Sequence, residues 1–593
     1  MFRILKYLKP YTLAIIIIFC LTAVQVYANL QLPDYMAKIV DQGIVLNNRH
    51  IIWSTGLAMI IITMFGGISA IIAGYFAARS ATGFAMNLRT RVFKKVESFS
   101  KVELDRFSTA SLITRSTNDI QQIQLVMILL FTLVLFAPMM GIGAVIKALH
   151  LAPSMSWIIA LAVASVITVV GVFFIFSLPR FRKLQKLIDK LNLVTRENLT
   201  GLRVIRAFNR EKYEENKFEQ TNRELTAINL FINRLQSALM PVMLLIFNFT
   251  SILIIWVGAH YINTGRLQIG SVIAFMQYSI LVIMAFLMIT FIFILLPRAA
   301  VSAGRILEVL DTDPVIKDPP EPNHITDKQR VTVEFRHVSF KYTGADEDVL
   351  SDINFTARPG EVTAVVGSTG SGKSTLINLI PRFYDTSEGQ VLLNGVDVRD
   401  LKLHELHDLI GYIAQKSVLF SGTVASNIKY GKMHAEDSEV KEAARIAQAE
   451  NFIRKLEDEF DSPIVQEGAN VSGGQKQRLS IARALIKQSP IYLFDDSFSA
   501  LDFTTDTALR KALEPKVKDS TVIIVAQRIS TVINAQKIVV LDQGQVVGIG
   551  THSQLMKDCQ VYQEIASSQL SPEELRHALT AQPQHLKPIE GET

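Results

Sequence analysis

Through the first half of the chain, apolar positions fall in blocks. Six apolar stretches, at residues 12–32, 53–78, 126–146, 157–178, 238–262 and 269–296, each reach the length needed to span a bilayer. Roughly twenty residues suffice to cross about 30 Å of hydrocarbon. The joining segments alternate in character. Residues 79–125 and 179–237 are long and hold roughly twenty Lys and Arg between them, whereas 33–50, 150–156 and 263–268 are short and hold about three. This asymmetry predicts a multi-pass protein of the cell membrane, with both termini and both long loops cytoplasmic. The start, MFRILKYLKPY, is followed by no small-residue cleavage site, so the first apolar run reads as a retained span.

Inside the long loops the blocks give way to apolar residues at three- and four-residue spacing, over 84–102 and 181–235. That spacing predicts membrane helices continuing well past the bilayer. Their tips are expected near 108–119 (STASLITRSTND) and 198–208 (NLTGLRVIRAF), where Leu112, Ile113, Val204 and Ile205 are set to dock on another surface. Beyond residue 297 the apolar blocks stop. Residues 311–330 (DTDPVIKDPPEPNHITDKQR) hold four prolines and many charges and read as a linker. The expected organisation is a six-helix, all-α transmembrane domain at 1–310, the linker, a soluble α/β domain at 331–570, and a polar tail at 571–593 with no assigned function. No short-period repeat is visible.

Composition agrees with this division. Of 593 residues, 49% are hydrophobic and 19% charged, a membrane-like balance for a multidomain chain. The formal charge of +6 is accounted for by the basic loops, so no nucleic-acid partner is expected. Cys20 and Cys559 are the only cysteines and supply neither a disulfide framework nor metal-ligand spacing. Polar residues within the spans, such as Asn248 and Gln277, read as helix-packing contacts.

The soluble half carries the chemistry. The β-branched run Val362-Thr363-Ala364-Val365-Val366 reads as a buried strand and leads into Gly367-Ser368-Thr369-Gly370-Ser371-Gly372-Lys373-Ser374, followed by helix-forming residues from Thr375. This is the phosphate-binding P-loop. Glycines let backbone N–H groups turn inward, Lys373 is spaced for the β- and γ-phosphates of ATP, and the Ser374 hydroxyl for Mg²⁺. A second apolar strand, Ile491-Tyr492-Leu493-Phe494, ends in Asp495, an acid suited to orient Mg²⁺ (the Walker B arrangement).

Between them, Val471-Ser472-Gly473-Gly474-Gln475-Lys476-Gln477-Arg478 resembles the signature motif of the ABC transporter superfamily. Further matches follow in the family's order: Tyr342 as the aromatic before the cassette, Gln415 in the Q-loop, Ser499-Ala500-Leu501-Asp502 as the D-loop, and Val525-Ala526-Gln527-Arg528 as the switch loop. Six spans ahead of one cassette resemble a half-size ABC exporter. The resemblance implies an ATPase that couples hydrolysis to transport. Tyr342 would stack on adenine, though it equally fits a strand-edge aromatic, and Gln415 would reach Mg²⁺ or the attacking water. Ser472, Gly473, Gly474 and Gln475 would meet ATP held by a second half-transporter. Glu467 resembles an exporter-specific acid that touches the helical tips, and equally a solvated loop acid.

Two positions depart from the family pattern. Asp496 stands where the water-polarising residue is usually glutamate, and Gln527 where the switch residue is usually histidine. Paired substitutions of this kind resemble one subunit of heterodimeric bacterial exporters, whose own pocket binds Mg-ATP better than it cuts. The expectation is export of hydrophobic or amphipathic compounds, drug-like or lipid-like. A homodimeric lipid or peptide exporter and an ATP-gated membrane regulator are the alternatives. An importer is disfavoured by the fusion of membrane and cassette parts in one chain.

Overall fold

A computed structural model describes residues 2–569; the tail expected at 571–593 lies outside them. The chain divides into two compact units, Met1–Glu97 with Thr109–Thr312, and Ser98–Ser108 with the chain from Asp313 onward.

The first unit is helical. Each expected span lies within one long helical run: Arg3–Ile44, Arg49–Glu97, Thr109–Leu151, Pro153–Thr200, Glu211–Asn263 and the helix Ile269–Asp311. At 1.5 Å per residue, the 53 residues of Glu211–Asn263 extend about 80 Å, more than twice the hydrocarbon thickness. Such helices must continue well outside the bilayer. Small residues let them approach closely: a Cβ on Gly66 would lie 2.9 Å from Ala28 Cβ, and one on Gly141 3.1 Å from Ala285 Cβ. Trp53, Ile71 and Trp256 are exposed, the surface a lipid-facing helix presents. Pro138 cannot donate to the carbonyl four residues back, and a π-helical turn at Leu130–Val134 absorbs the defect.

Polar ties in this bundle differ from the sequence expectation. Asn248 is exposed, and neither it nor Gln277 makes a side-chain hydrogen bond among the described residues. The ties come instead from Asp34, Asp41 and Lys147, past the ends of the apolar blocks, and from Tyr278 within the sixth. Lys147 Nζ lies 2.6 Å from Asp34 Oδ2, and the hydroxyl of fully buried Tyr278 is 2.7 Å from Asp34 Oδ1 and 2.8 Å from the Leu30 carbonyl. Asp41 Oδ1 accepts the Gly270 N–H at 2.7 Å, satisfying one of the free donors at the start of the sixth helix.

The first helical tip falls about ten residues earlier than expected. The second long helix ends at Glu97 and a short helix, Lys101–Phe107, follows. It opens on a capping box: the backbone N–H and hydroxyl of Ser100 both donate to Glu103 Oε2, at 2.7 and 2.6 Å. It closes at Ser108, whose φ of 56° a helix cannot accommodate. The expected tip at 108–119 is instead the returning helix Thr109–Ser116, with Leu112 buried and Ile113 exposed. The second tip does contain a short helix, Leu202–Ala207, with none of its residues buried.

The second unit is α/β. A six-stranded sheet runs in the order Gln545–Gly550, Lys537–Asp542, Val362–Gly367, Thr521–Val525, Ile491–Asp495, Ile410–Ile413. All its pairings are parallel except the edge pair of Gln545–Gly550 with Lys537–Asp542. A four-stranded antiparallel sheet carries Val333–Phe340 at its centre. The β-branched runs read from sequence are the central strands, buried on both faces as parallel sheets require. The proline-rich stretch is laid along this unit and is no free tether. Ile316 and Ile325 are buried, Asp318 Oδ1 accepts the Leu403 N–H at 2.8 Å, and Asn323 bridges to Leu401.

Candidate nucleotide site

Two parallel strands set the site. Val362–Gly367 and Ile491–Asp495 both flank Thr521–Val525, so their C-terminal ends deliver the P-loop, Asp495 and the switch loop to one edge of the sheet. The loop turns on Gly370 and Gly372, at φ 87° and 94°. A Cβ on Gly372 would sit 2.7 Å from Leu350 Cδ2 and 3.0 Å from the Val349 carbonyl, so only glycine fits. Ser368, Thr369 and Gly370 form the exposed crest of the loop, while Ser371 and Gly372 lie buried beneath it.

Lys373 Nζ reaches into the concavity and donates to the carbonyls of Gly367 at 2.9 Å and Ser368 at 2.6 Å. Burial pushes this ammonium's pKa down, against the opposing pull of Asp496 and Asp495. Burial likewise pushes the Asp495 carboxyl up, partly offset by the Ser374 hydroxyl, which donates to Oδ1 at 3.1 Å. A glycine cradle that leaves no room for a side chain at Gly367 or Gly372, a buried cation and a hydroxyl–carboxylate pair fit a magnesium–triphosphate. Tyr342 lies beside the P-loop helix. Its hydroxyl is 3.0 Å from Thr375 Oγ1, and its ring meets Tyr384 edge-on at 5.3 Å.

The two departures from the family pattern touch each other. Gln527 Nε2 donates to Asp496 Oδ2 at 2.9 Å, and Gln415 Nε2 donates to the same oxygen at 3.3 Å. Asp496 is 8% exposed and takes a left-handed backbone, φ 46°, which aspartate tolerates better than most side chains. Two amides from separate loops thus close on one carboxylate oxygen of a third.

The signature stands apart from this cluster. Ser472 and Gln475 form a capping box at the start of the helix Gly473–Leu485, with Ser472 and Gly473 exposed. No hydrogen bond among the described residues links residues 472–475 to Lys373, Ser374 or Asp495. Gly474 packs on the D-loop, where a Cβ would lie 3.1 Å from the Ala500 carbonyl. In the D-loop Ser499 Oγ donates to the Asp496 carbonyl at 2.9 Å, and Asp502 caps the helix Phe503–Leu513. Glu467 sits exposed at φ 54° in a tight turn before the signature.

One part of this unit was missed from sequence. The helix Lys101–Phe107 belongs to the cassette unit. Asp105 Oδ2 accepts from the Tyr384 hydroxyl at 3.0 Å, Glu103 Oε1 accepts the Val315 N–H at 3.0 Å, and Val102 packs on the core of the antiparallel sheet. The Ser100-x-x-Glu103 pattern was the available signal. Tyr384, joined to both Asp105 and the Tyr342 ring, lies between that helix and the candidate adenine platform.

A site of this kind, on this sheet and behind six apolar helices, defines an ATP-driven membrane transporter. The ABC transporter transmembrane region model matches residues 15–286, and the ABC transporter model matches residues 350–499. An uncharacterized ABC transporter ATP-binding protein of Mycobacterium tuberculosis is 42% identical over 95% of this chain and 97% of its own. An ATP-dependent lipid A-core flippase of Pseudomonas aeruginosa is 31% identical over 94% of both chains. A solved bacterial Atm1-family ABC exporter with ATP bound superposes with a TM-score of 0.78 at 24% identity, over 95% of this chain and 99% of its own. The chain belongs to the ABC transporter family. It is a multi-pass, half-size exporter whose ATPase domain implies ATP binding and hydrolysis coupled to transport, and whose fold suggests pairing with another ABC half.

Proposed function

We propose that this chain is one subunit of a heterodimeric exporter, and that its own pocket holds Mg-ATP but hydrolyses it slowly. The observation that carries this reading is the tie at Asp496. Its carboxylate is shorter than glutamate by one methylene, about 1.5 Å, and one of its oxygens receives two amide donors. A base so engaged is poorly placed to take a proton from water, and general-base catalysis is worth about 10²–10⁴-fold. Gln527 can hydrogen-bond a γ-phosphate but cannot carry charge as histidine can.

The residues expected to hold the nucleotide support this reading. Gly367 to Thr375 would wrap the phosphates, Lys373 would contact the β- and γ-oxygens, and Tyr342 would face adenine. Ser374, Asp495 and Gln415 would ligate Mg²⁺, which when bound neutralises charge on the phosphates. Ser472, Gly473, Gly474 and Gln475, at a helix start whose first two residues are exposed, would complete the pocket of the partner subunit, where most hydrolysis would occur. The termini and the cassette would lie in the cytoplasm. Largely uncharged spans and a relative named as a lipid A-core flippase favour an amphipathic, lipid-like or drug-like cargo. That same relative supports the second reading, a self-pairing lipid exporter.

Purified alone and reconstituted, the chain should bind ATP and turn it over slowly, and co-expression with its partner should raise turnover substantially. Full ATPase and transport activity from the chain alone would overturn the heterodimer and favour the self-pairing exporter.

A further inference from the structure

The switch loop leaves the sheet without a neighbour. Thr521–Val525 is paired on both sides, and the Ala526 N–H still reaches the Val365 carbonyl at 3.2 Å. From Gln527 onward no strand is alongside among the described residues. Arg528 is extended, φ −103° and ψ 125°, so the carbonyl before it and the N–H after it point to the same side, as in a strand edge. Ile529 then begins the four-residue helix Ile529–Val532, whose start has no side-chain cap from Arg528.

One side chain answers both groups. Gln569 Nε2 donates to the Gln527 carbonyl at 2.9 Å, and Gln569 Oε1 accepts the Ile529 N–H at 2.9 Å. A primary amide thereby does what the peptide group of a neighbouring strand would do. Gln569 is the last described residue of the helix Gln560–Gln569, which is firmly seated. Tyr562 and Ala566 are fully buried in the cassette core, and the Tyr562 hydroxyl is 2.7 Å from His552 Nδ1. The clamp acts on the residue whose side chain donates to Asp496.

We propose that Gln569, which lies outside every nucleotide-binding motif, is a positioning residue for the switch loop. Its side-chain amide fixes the backbone from Gln527 to Ile529 and so sets where the Gln527 side chain stands against the Asp496 carboxylate. The C-terminal helix is then part of the nucleotide pocket's machinery, although it supplies no group to ATP. The inference rests on Gln527 being the switch residue. It does not require that the pocket hydrolyse slowly.

The test uses the full chain with its partner in lipid nanodiscs, comparing the wild type with Gln569→Leu, Gln569→Glu and Gln569→Asn. Hydrogen–deuterium exchange at the Ile529 amide reads the clamp. Half-saturation of photolabelling of this chain by a photoreactive ATP analogue with Mg²⁺ reads its own pocket. Leucine, with neither donor nor acceptor, should speed exchange at Ile529 about tenfold, the scale of one net hydrogen bond. It should also shift half-saturation about threefold or more at unchanged thermal midpoint. Glutamate keeps the acceptor for Ile529 but sets a carboxylate against the Gln527 carbonyl, so it should spare the exchange and still disturb labelling. Asparagine, retaining both groups on a shorter arm, should restore part of each. Unchanged exchange in Gln569→Leu would remove the clamp, and faster exchange in Gln569→Leu with labelling unaltered in both the Leu and Glu variants would reduce Gln569 to a stabilising contact. If the chain alone proves fully active, the heterodimer reading fails while the exchange and labelling results still decide this one.

Discussion

Repairing the pocket is the most direct test of why it should be slow. The perturbation is the pair Asp496→Glu and Gln527→His. Because the two side chains share a 2.9 Å hydrogen bond, their effects should not add. Glutamate alone gains about 1.5 Å of reach. It must also take a left-handed backbone that suits aspartate better, and it still meets the Gln415 and Gln527 amides. Loss of the present bond costs about 1 kcal/mol of local order. Histidine alone removes one amide but leaves the base short. Together they remove one of the two amides, lengthen the carboxylate and restore a ring that can carry charge, which should return at least about one order of magnitude of the 10²–10⁴-fold general-base range. The assay is ATP turnover of the complex with the partner's own catalytic glutamate disabled. Each single change should recover less than about threefold, well under the double. If the double variant shows no gain even when the partner's signature reads Ser-Gly-Gly-Gln, or if the single gains multiply to the double, the tie at Asp496 is not what limits this pocket.

Three further outcomes follow from the geometry. Ser472→Ala or Gly473→Ala should remove most ATPase activity of the complex, whereas Asp496→Asn should change it by less than about twofold, since that carboxylate is already engaged; equal damage from both would place hydrolysis in the wrong pocket. Burial raises the Asp495 carboxyl, so the folded pocket takes up a proton more readily than the unfolded chain; the carboxylate's stability cost at neutral pH fades as pH falls through the folded value. As pH falls, Mg²⁺-dependent ATP binding should therefore begin to weaken at a higher pH than an ordinary aspartate, at 3.8, would dictate, and Asp495→Asn should bind weakly at neutral pH with that dependence flattened, as read by nucleotide titration. Asp34→Asn should lower the thermal midpoint of the membrane unit by the equivalent of about 1 kcal/mol, because the pair with Lys147 is one-third exposed; adding Lys147→Gln should recover part of that loss, and a deeper drop in the double variant would count against the pairing.

What the sequence disclosed depended on whether the signal was periodic or local. The six spans and the central strands were legible because burial on all sides leaves long apolar runs. The P-loop, the signature and Asp495 were legible because their chemistry demands fixed spacings. The contact between Gln527 and Asp496 was not, since two residues 31 apart carry no mark of touching; only their joint departure from the family pattern hinted at it. The first tip was misplaced because helical spacing continues across Ser98–Ser100, and the break there is made by a cap. Asp34 and Lys147 lie just beyond the apolar blocks, 113 residues apart, and nothing in the sequence marks them as a pair. Gln569 lay past the last motif, and its role is a side-chain bond to backbone 40 and 42 residues away.

The eleven residues Ser98–Ser108 give the cassette unit a discontinuous chain. A recombinant fragment cut at residue 331 would lack Val102, the Asp105 acceptor and the cover provided by Ile316, leaving apolar surface and the Tyr384 hydroxyl unpaired. Such a fragment should aggregate more readily than one begun at Asp313 with a peptide of residues 98–108 added in trans. During synthesis the order is equally constrained. Asp105 is made 279 residues before Tyr384, so the first-made piece of this unit must stay available through the production of four further membrane helices. The cassette is thus finished last, around a segment that was among the first to leave the ribosome.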